Sequence, residues 1–228
     1  ATTSYVVLKM DVQDNDSVDS AVSRVLENEG RIDVLVNNAG ISAISPLEQT
    51  PLDEMNEIMD TNVNGVLRVC QAVLPGMRER RAGLIINISS IAGLIGLPFR
   101  GIYATSKFAL EGLTESLSME LKPYGISVCL VEPGDFNTHI SQNRKIIQLP
   151  LESIYQETTN RLIKTIEEQM RRAPDPDPVA KTIYQIIRDP NPRLRYNVGS
   201  FLEKLSIALK TILPGRVFER IIMGFYKL

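Results

Sequence analysis

Short apolar runs alternate with longer segments of helical periodicity along the chain. Three of the runs have the length and continuity of buried strands, and they lie at residues 32–36, 84–90 and 127–131. Apolar residues spaced three and four apart predict helices at about residues 17–28, 60–80, 103–121 and 179–188. Strands that alternate with helices in this way are typical of a parallel sheet with helices on both faces. The pattern therefore predicts an α/β fold.

The segment from Phe201 to Leu228 carries an apolar stripe with basic residues between its members. Its apolar residues recur at roughly helical spacing, and Pro214-Gly215 divides it into two predicted helices. Such a stripe fits three roles: packing against the core or another subunit, covering a hydrophobic substrate, or lying on a membrane surface. The sequence leaves all three open.

Length and charge narrow the possible functions. The chain has 228 residues, which predicts one domain, and its 25 basic and 27 acidic residues give a formal net charge of −2. This balance argues against nucleic-acid binding.

The uncharged stretch at residues 82–99 is interrupted by polar residues, glycines and a proline, so a strand and a loop explain it better than a membrane span. The first residues lack the pattern of a signal peptide, and we expect a cytoplasmic protein.

Neither the cysteines nor the histidine predicts a metal site. Cys70 lies in a helical pattern and Cys129 in a strand pattern, so we expect both to be reduced core residues. His139, the single histidine, follows Thr138 in a presumed loop, where a surface or gap-filling role is expected. No spacing among these residues matches a metal-ligand motif.

The segment Tyr103-Ala-Thr-Ser-Lys107 places a phenol and an ammonium on one face of a predicted helix. A free tyrosine gives up its proton only near pH ~10, so proton transfer at neutral pH requires a cation that stabilises the phenolate. Lys107 is positioned to supply that cation. Ser90 ends a predicted strand upstream, where its hydroxyl is able to hydrogen-bond a substrate carbonyl.

Further polar residues follow or interrupt the apolar segments. Asn37-Asn38-Ala39-Gly40 comes directly after the strand at residues 32–36, at the sheet edge where ligands bind in parallel α/β folds. Asn62 lies inside an apolar helical pattern where propensity does not favour it, which indicates a role. Pro133-Gly134 follows the third apolar run.

Taken in order, these features closely resemble the classical short-chain dehydrogenase/reductase family. The similarity covers motifs from about Asp11 to Thr138. It implies a doubly wound, Rossmann-type parallel sheet with helices on both faces, and an NAD(P)-dependent oxidoreductase that interconverts an alcohol and a ketone or aldehyde. Residues 135–228 would then form a substrate-side lid and a C-terminal helical region within the single domain 1–228. The segment from Pro192 to Gly199, with the tail that follows it, resembles the branch of 17β-hydroxysteroid and retinol dehydrogenases, which suggests a lipophilic substrate.

The resemblance also implies roles for individual residues. Tyr103 would exchange a proton with the substrate oxygen, and Ser90 would hydrogen-bond that oxygen. Lys107 would stabilise the phenolate and hold the nicotinamide ribose. Asn62 would orient a water that links Lys107 to solvent. The cofactor contacts would come from Asp11 and Val12 at the adenine, from Asn38, Ala39 and Gly40 at the ribose, and from Pro133, Gly134 and Thr138 on the nicotinamide side.

Some of these residues have a simpler explanation. A tight turn after a strand would account for Asn38 and Gly40. A loop cap would account for Thr138. The choice between NAD and NADP stays open, because the residues that meet the 2′ position are not in the sequence.

One family motif has no counterpart here. Family members open with a strand and a turn of the form Thr-Gly-x-x-x-Gly-x-Gly, which brings a helix N-terminus to the pyrophosphate, whereas residues 4–12 resemble the third strand. In the strand order 3-2-1-4-5-6-7, the first two strands would lie between the strand at residues 4–12 and that at residues 32–36. We therefore expect a fragment of a longer enzyme that binds the dinucleotide weakly by itself. A natural variant completed by a partner chain is the alternative.

A catalytically inactive module that binds a protein or a membrane is the competing function. Joint retention of Ser90, Tyr103, Lys107 and Asn62 favours the enzyme, whereas a genuine loss of the phosphate-binding turn would favour the module. The expected partners are a small lipophilic alcohol or carbonyl compound and further copies of the chain in a homo-oligomer. Peripheral membrane contact through the C-terminal helices remains a further hypothesis.

Overall fold

A four-stranded parallel sheet lies at the centre of the computed structural model, which describes residues 5–138 and 144–228. The prediction for His139 falls outside these residues. The sheet strands, in spatial order, are β1 (Val34–Asn37), β3 (Gly83–Ile88), β4 (Ile126–Pro133) and β6 (Arg195–Val198). Two short strands, β2 (Ala43–Ile44) and β5 (Lys145–Ile146), form a separate parallel pair. The order of the four strands agrees with the second half of the predicted doubly wound sheet.

Eight α-helices connect or flank these strands in the described residues. They are α1 (Asn15–Glu29), α2 (Leu52–Met59), α3 (Gly65–Glu79), α4 (Gly101–Leu121), α5 (Gln156–Arg172), α6 (Asp177–Arg188), α7 (Phe201–Ile212) and α8 (Gly215–Phe225). The helix predicted at residues 60–80 is part of a longer run, because α2 continues into α3 through a single π-helical turn, Asp60–Asn64. The predicted division at Pro214-Gly215 is confirmed.

Alternate residues of the central strands enter two different hydrophobic layers. Ile85 of β3 packs with α1, α3 and α4, whereas its neighbour Ile86 packs with Cys129 of β4 and with α6. Both isoleucines are fully buried, and each contributes about 1.5–3 kcal/mol by leaving water. Strands that are apolar on both faces need helices on both faces, and this confirms the predicted α/β fold.

Both cysteines lie in these layers, as the sequence predicts. Cys70 of α3 and Cys129 of β4 have no exposed surface and are free thiols. Burial raises the pKa of each thiol to about 11 because it disfavours the thiolate. These residues therefore act as small core side chains.

The prediction of a strand at residues 4–12 is wrong for residues 5–12, the part of this segment that the structure describes. Residues 5–12 form no strand, and Tyr5, Val6 and Val7 are largely exposed. A strand needs a neighbour to pair its backbone groups. Within the described residues no strand lies beside this segment, so its apolar side chains find no layer to enter.

Arg195 of β6 joins α4 to the sheet through three carboxylates. Its guanidinium contacts Glu111 and Glu115 of α4 and lies 2.6 Å from Oε1 of the fully buried Glu132 of β4. Asn197 also donates to Glu132. Burial, followed by the nearby Glu111 carboxylate, raises the pKa of Glu132 from 4.5 to about 7. Between pH 4.5 and about 7, the Glu132 carboxyl of the folded protein therefore keeps a proton that the same group loses in the unfolded chain.

This proton makes stability depend on pH. Since the native state binds it more tightly than the unfolded state, the free energy of unfolding falls as the pH rises from 4.5 to about 7. We expect Glu132→Gln to flatten that dependence in urea denaturation measured at a series of pH values. Glu115→Gln, which touches the same guanidinium from the surface, should keep the slope. An equal slope in the parent and in Glu132→Gln would contradict the assignment.

Candidate active site

The polar ends of β1 and β3 meet beside α4. Asn37 donates to Asn87 at 2.8 Å, and Asn87 donates to Thr114 of α4 at 2.9 Å. Asn87 and Thr114 have no exposed surface. Buried amides are retained where their hydrogen bonds are satisfied, so this chain of contacts fixes two strand ends against one helix. The carboxyl edge of the sheet is thereby a rigid platform.

Tyr103 and Lys107 lie on this platform, one turn apart in α4. The Lys107 Nζ atom is 5.8 Å from the centroid of the Tyr103 ring, and both side chains are buried. Nζ donates to the backbone carbonyl of Ile88, the last residue of β3, at 2.8 Å. The two side chains therefore lie near one another, and the predicted action of Lys107 on the phenol stays a prediction.

Ser90 stands just beyond the end of β3. Its Oγ accepts a hydrogen bond from the amide of Ala92 at 3.1 Å and so caps a short 3-10 turn, Ile91–Gly93. The same hydroxyl lies 3.4 Å from the carbonyl of Pro133 at the end of β4. Ser90 thus lies where two strand ends converge near α4, as the sequence predicts.

Asn62 occupies the π-helical turn between α2 and α3 and is fully buried. Its Oδ1 accepts from the amide of Ile41 at 2.8 Å, and its Nδ2 donates to the carbonyl of Ile41 at 2.9 Å and to Ser106 of α4 at 2.9 Å. π-Helical turns are frequent at functional sites because they add a residue without ending the helix. Asn62 therefore clamps the segment after β1 to α4. Its predicted contact with a water stays a prediction.

The predicted ribose residues follow β1 at the same edge. Asn38 and Ala39 are exposed and Gly40 is half-buried, so a ligand has access to the backbone of this segment. The clamp from Asn62 to Ile41 holds its far end. The contact of these residues with a ribose stays a prediction.

The predicted adenine residues lie at the start of the described chain. Asp11 is exposed and accepts from the amide of Gln13 at 2.9 Å, in a turn that precedes α1. Val12 is half-buried, and its carbonyl accepts from Arg68. A Cβ on Gly65 would come within 2.9 Å of Val12 Cγ2, so the glycine permits this close approach.

A carboxylate supports the predicted nicotinamide side. Glu203 of α7 accepts from the amide of Asp135 at 2.6 Å and from that of Ser200 at 2.6 Å. A Cβ on Gly134 would lie 2.2 Å from the same carboxylate, which explains why glycine follows Pro133. Gly134 therefore stands beside α7 just after Pro133 at the end of β4, and Thr138, further along, is half-buried.

A second group of charged side chains near Tyr103 was not predicted from the sequence. Arg100 precedes α4, and its guanidinium carbon is 5.7 Å from the centroid of the Tyr103 ring. Burial raises the pKa of Asp135 and that of Tyr226, and Arg100 opposes both shifts. Burial, followed by the positive charge of Arg100, lowers the pKa of Arg144 to about 10. These residues come from distant parts of the chain, so no local pattern brings them together.

The buried amides around Asn87 were also missed. Asn87 interrupts the apolar run Leu84-Ile-Ile-Asn-Ile, and an amide inside a buried strand was a usable signal. Ser106, which accepts from Asn62, lies within the Tyr103–Lys107 segment and gave no signal of its own.

Comparison with known proteins identifies the family. A family model described as short chain dehydrogenase matches residues 1–147. The chain belongs to this family. It is 41% identical over 221 residues to the 3-ketodihydrosphingosine reductase of Bacteroides thetaiotaomicron, covering 96% of this chain and 82% of the relative. It is 40% identical over 200 residues to human 17-beta-hydroxysteroid dehydrogenase type 1, covering 85% of this chain but only 60% of the relative.

Solved structures agree with this assignment. A short-chain dehydrogenase from Streptomyces avermitilis superposes with a TM-score of 0.74 at 30% identity, covering 95% of this chain and 79% of that one. A structure of ElxO with bound NADP superposes with a TM-score of 0.68 at 28% identity, covering 84% and 75%. The predicted membership of the short-chain dehydrogenase/reductase family, a family of oxidoreductases, is therefore confirmed.

The contacts of Asn62 predict a structural cost for its loss. We expect Asn62→Ala to lower the free energy of unfolding in urea by at least about 2 kcal/mol, because each buried group left unpaired costs about 1–3 kcal/mol. Amide exchange at Ile41 should also accelerate. Asn64→Ala is the matched control, since Asn64 lies in the same turn but is exposed. Equal stability of the two variants would show that the clamp does not hold the segment.

Proposed function

We propose that this short-chain dehydrogenase interconverts an alcohol and a ketone or aldehyde with NAD or NADP. The observation that carries the proposal is the convergence of Tyr103, Lys107 and Ser90 at the carboxyl edge of a parallel sheet. Ligands of doubly wound folds bind at this edge. The three groups supply a proton carrier, a cation and a neutral hydrogen-bond donor.

Each residue has one role in the proposal. Tyr103 exchanges a proton with the substrate oxygen through its hydroxyl. Ser90 donates a hydrogen bond to that oxygen and fixes its position. Lys107 stabilises the phenolate by its charge. Asn62 holds Ser106 and the segment after β1 in place, and orients a water that links Lys107 to solvent.

The nicotinamide, when bound, supplies or accepts the hydride. Lys107 would hold its ribose, because the bond to Ile88 uses only one of the three ammonium hydrogens. Asn38, Ala39 and Gly40 would line the ribose, and Pro133, Gly134 and Thr138 the nicotinamide side. Asp11 and Val12 would meet the adenine. NADP in a structural relative is consistent with this proposal, which includes both dinucleotides.

The substrate in this proposal is lipophilic. A buried apolar cluster beside the site combines α5, α8 and the segment before α4, and includes Leu97, Phe99, Leu162, Ile222 and Tyr226. The names of the two relatives, a ketodihydrosphingosine reductase and a hydroxysteroid dehydrogenase, support an extended apolar substrate. Residues 135–228 would provide its lid within the single domain 1–228. The joint presence of Tyr103, Lys107, Ser90 and Asn62 supports the enzyme, and membership of an oxidoreductase family does not favour the inactive module.

We further propose that the protein forms a homo-oligomer and touches a membrane through its C-terminal helices. On α8, Val217, Ile221 and Phe225 follow one another at a spacing of four residues, and all three are exposed. Residues 201–228 contain five basic and two acidic side chains in a chain whose formal net charge is −2. No helix in the described parts of the chain is long and apolar enough to span a membrane. The protein would then be cytoplasmic with peripheral membrane association.

Replacement of the phenol tests the proposed chemistry. We expect Tyr103→Phe to reduce turnover of 3-ketodihydrosphingosine or a 17-ketosteroid by roughly 10²–10⁴-fold, because it removes the proton carrier. Affinity for the dinucleotide should stay nearly unchanged, since the ring remains. Tyr184→Phe makes the same change on the exposed face of α6 and should leave the rate intact. Normal turnover in Tyr103→Phe would remove this residue from the mechanism.

Vesicle binding tests the membrane contact. We expect the protein to sediment with phosphatidylglycerol-containing vesicles more than with phosphatidylcholine vesicles, and the difference should shrink at high salt. Ile221→Ser combined with Phe225→Ser should weaken this binding. Ile187→Ser, which removes an exposed isoleucine from α6, is the control. If the stripe variant sediments as the parent does, the stripe serves another contact.

A further inference from the structure

Arg100 is a buried cation beside the proposed proton carrier. Its side chain is 7% exposed, and its Nε atom has no hydrogen-bond partner among the described residues. The guanidinium carbon lies 5.7 Å from the centroid of the Tyr103 ring. A buried charge is costly unless it is paired, and a neutral phenol does not pair it.

The place of Arg100 in the chain adds to this cost. It is the residue before Gly101, at the N-terminus of α4, where no side chain caps the helix and the first turn holds no acidic residue. The helix dipole is positive at this end and disfavours a nearby cation. A residue that opposes its local environment in this way is typical of a functional site.

Arg144 brings a second cation to the same region. Its Nε donates to Ser42 Oγ at 3.3 Å, and Ser42 is buried. The pKa of Arg144 falls because of burial and, after that, because of the charge on Arg100. Arg144 therefore adds a second positive charge to the surroundings of Arg100.

Asp135 is the carboxylate that acts on both arginines. Its pKa is raised, chiefly because Asp135 is buried, and Glu203 adds to the rise. Across residues 5–138 and 144–228, no carboxylate forms an ion pair with Arg100 or Arg144. Glu203 brings a second negative charge to the region, but it accepts from the amides of Asp135 and Ser200, and the Nε donor of Arg100 stays without a partner among the described residues.

We propose that Arg100 and Arg144 bind an oxyanion of the substrate, a carboxylate or a phosphate, and hold it near the carbon that reacts beside Tyr103. Guanidinium groups present paired donors that match the geometry of such anions. Tyr226 belongs to the apolar cluster that also contains Leu97, Phe99 and Ile222, and the positive charge of Arg100 acts on it. The substrate is therefore amphiphilic, with an apolar chain and an acidic group. This inference deepens the proposed function and rests on it for the reacting carbon.

Calorimetry with unreactive probes tests the anion site without turnover. Decanoate, decyl phosphate and 1-decanol share one chain and differ in the head group. We expect at least one of the two anions to bind about ten- to a hundred-fold more tightly than the alcohol, and the tighter of the two identifies the head group. Arg100→Gln and Arg144→Gln should each remove most of that advantage, and Arg100→Lys should retain part of it.

Arg188→Gln is the matched control. Arg188 lies 5.6 Å from the ring centroid of Tyr184, so it also stands over a tyrosine, but on the exposed surface of α6. This variant should keep the full preference for the anion. Equal binding of anions and alcohol to the parent, or an intact preference in Arg100→Gln and Arg144→Gln, would overturn the proposal.

Melting temperatures supply a second readout. Arg100→Gln removes an unpaired buried charge, so we expect it to melt at or above the temperature of the parent. The preferred anion should raise the melting temperature of the parent more than that of the variant. A large fall in the melting temperature of Arg100→Gln would assign Arg100 a structural role instead and overturn the proposal.

The outcomes also separate this inference from the proposed function. Arginine-dependent anion binding without carbonyl turnover would overturn the proposed oxidoreductase chemistry and leave the anion site in place. Turnover of neutral ketones that depends on Tyr103, with no preference for anions, would overturn the anion site alone. If Arg100→Gln changes the pH profile of turnover and leaves the anion preference unchanged, Arg100 acts on Tyr103. That result would overturn the anion site.

Discussion

The hydrogen bond from Lys107 to the carbonyl of Ile88 is the contact on which the geometry of the site depends. Ile88 ends β3, and a buried ammonium at this position needs an acceptor to offset the loss of water. The bond fixes one turn of α4 to the carboxyl edge of the sheet. Tyr103 then lies one helical turn before the contact, and Ser90 lies two residues beyond it along the other chain segment. One interaction of 2.8 Å thus sets the relative positions of phenol, ammonium and hydroxyl.

Other polar contacts keep α4 from shifting along the sheet. Asn62 holds Ser106 near the start of the helix, Asn87 holds Thr114 in its middle, and Arg195 draws Glu111 toward β6. A single hydrogen bond of this kind contributes only about 1 kcal/mol net, but breaking one leaves a buried group unpaired and costs more. The helix therefore tolerates few alternative positions. Such rigidity suits a site in which a proton and a hydride move between fixed atoms.

Periodicity predicted those parts of the fold whose side chains enter a core directly. The strands around Ile86 and Cys129 and the helix carrying Tyr103 follow from apolar spacing alone. The strand at residues 4–12 had the same kind of pattern but is absent from residues 5–12, because pairing depends on neighbours that a local pattern does not contain. Helix α5 was missed, although Leu162, Ile166 and Met170 recur at helical spacing, because charged residues dominate its segment. The pairing of Tyr103 with Lys107 followed from helix geometry, whereas the approach of Arg144 to Arg100 depends on tertiary structure.

The distribution of charge connects the proposed chemistry to the proposed substrate. Lys107 is hydrogen-bonded to a backbone carbonyl, and Arg100 forms no ion pair within the described residues, so neither cation is neutralised by the contacts it makes. The Lys107 Nζ atom lies 5.8 Å from the centroid of the Tyr103 ring, and the guanidinium carbon of Arg100 lies 5.7 Å from it. In a buried region such fields are weakly screened, and they favour a negatively charged ligand beside the ring. An anionic head group would partly neutralise Arg100 and so reduce its action on the phenol, leaving Lys107 as the main cation there. In the proposed site the two cations then have separate roles: Arg100 recognises the substrate and Lys107 assists proton transfer.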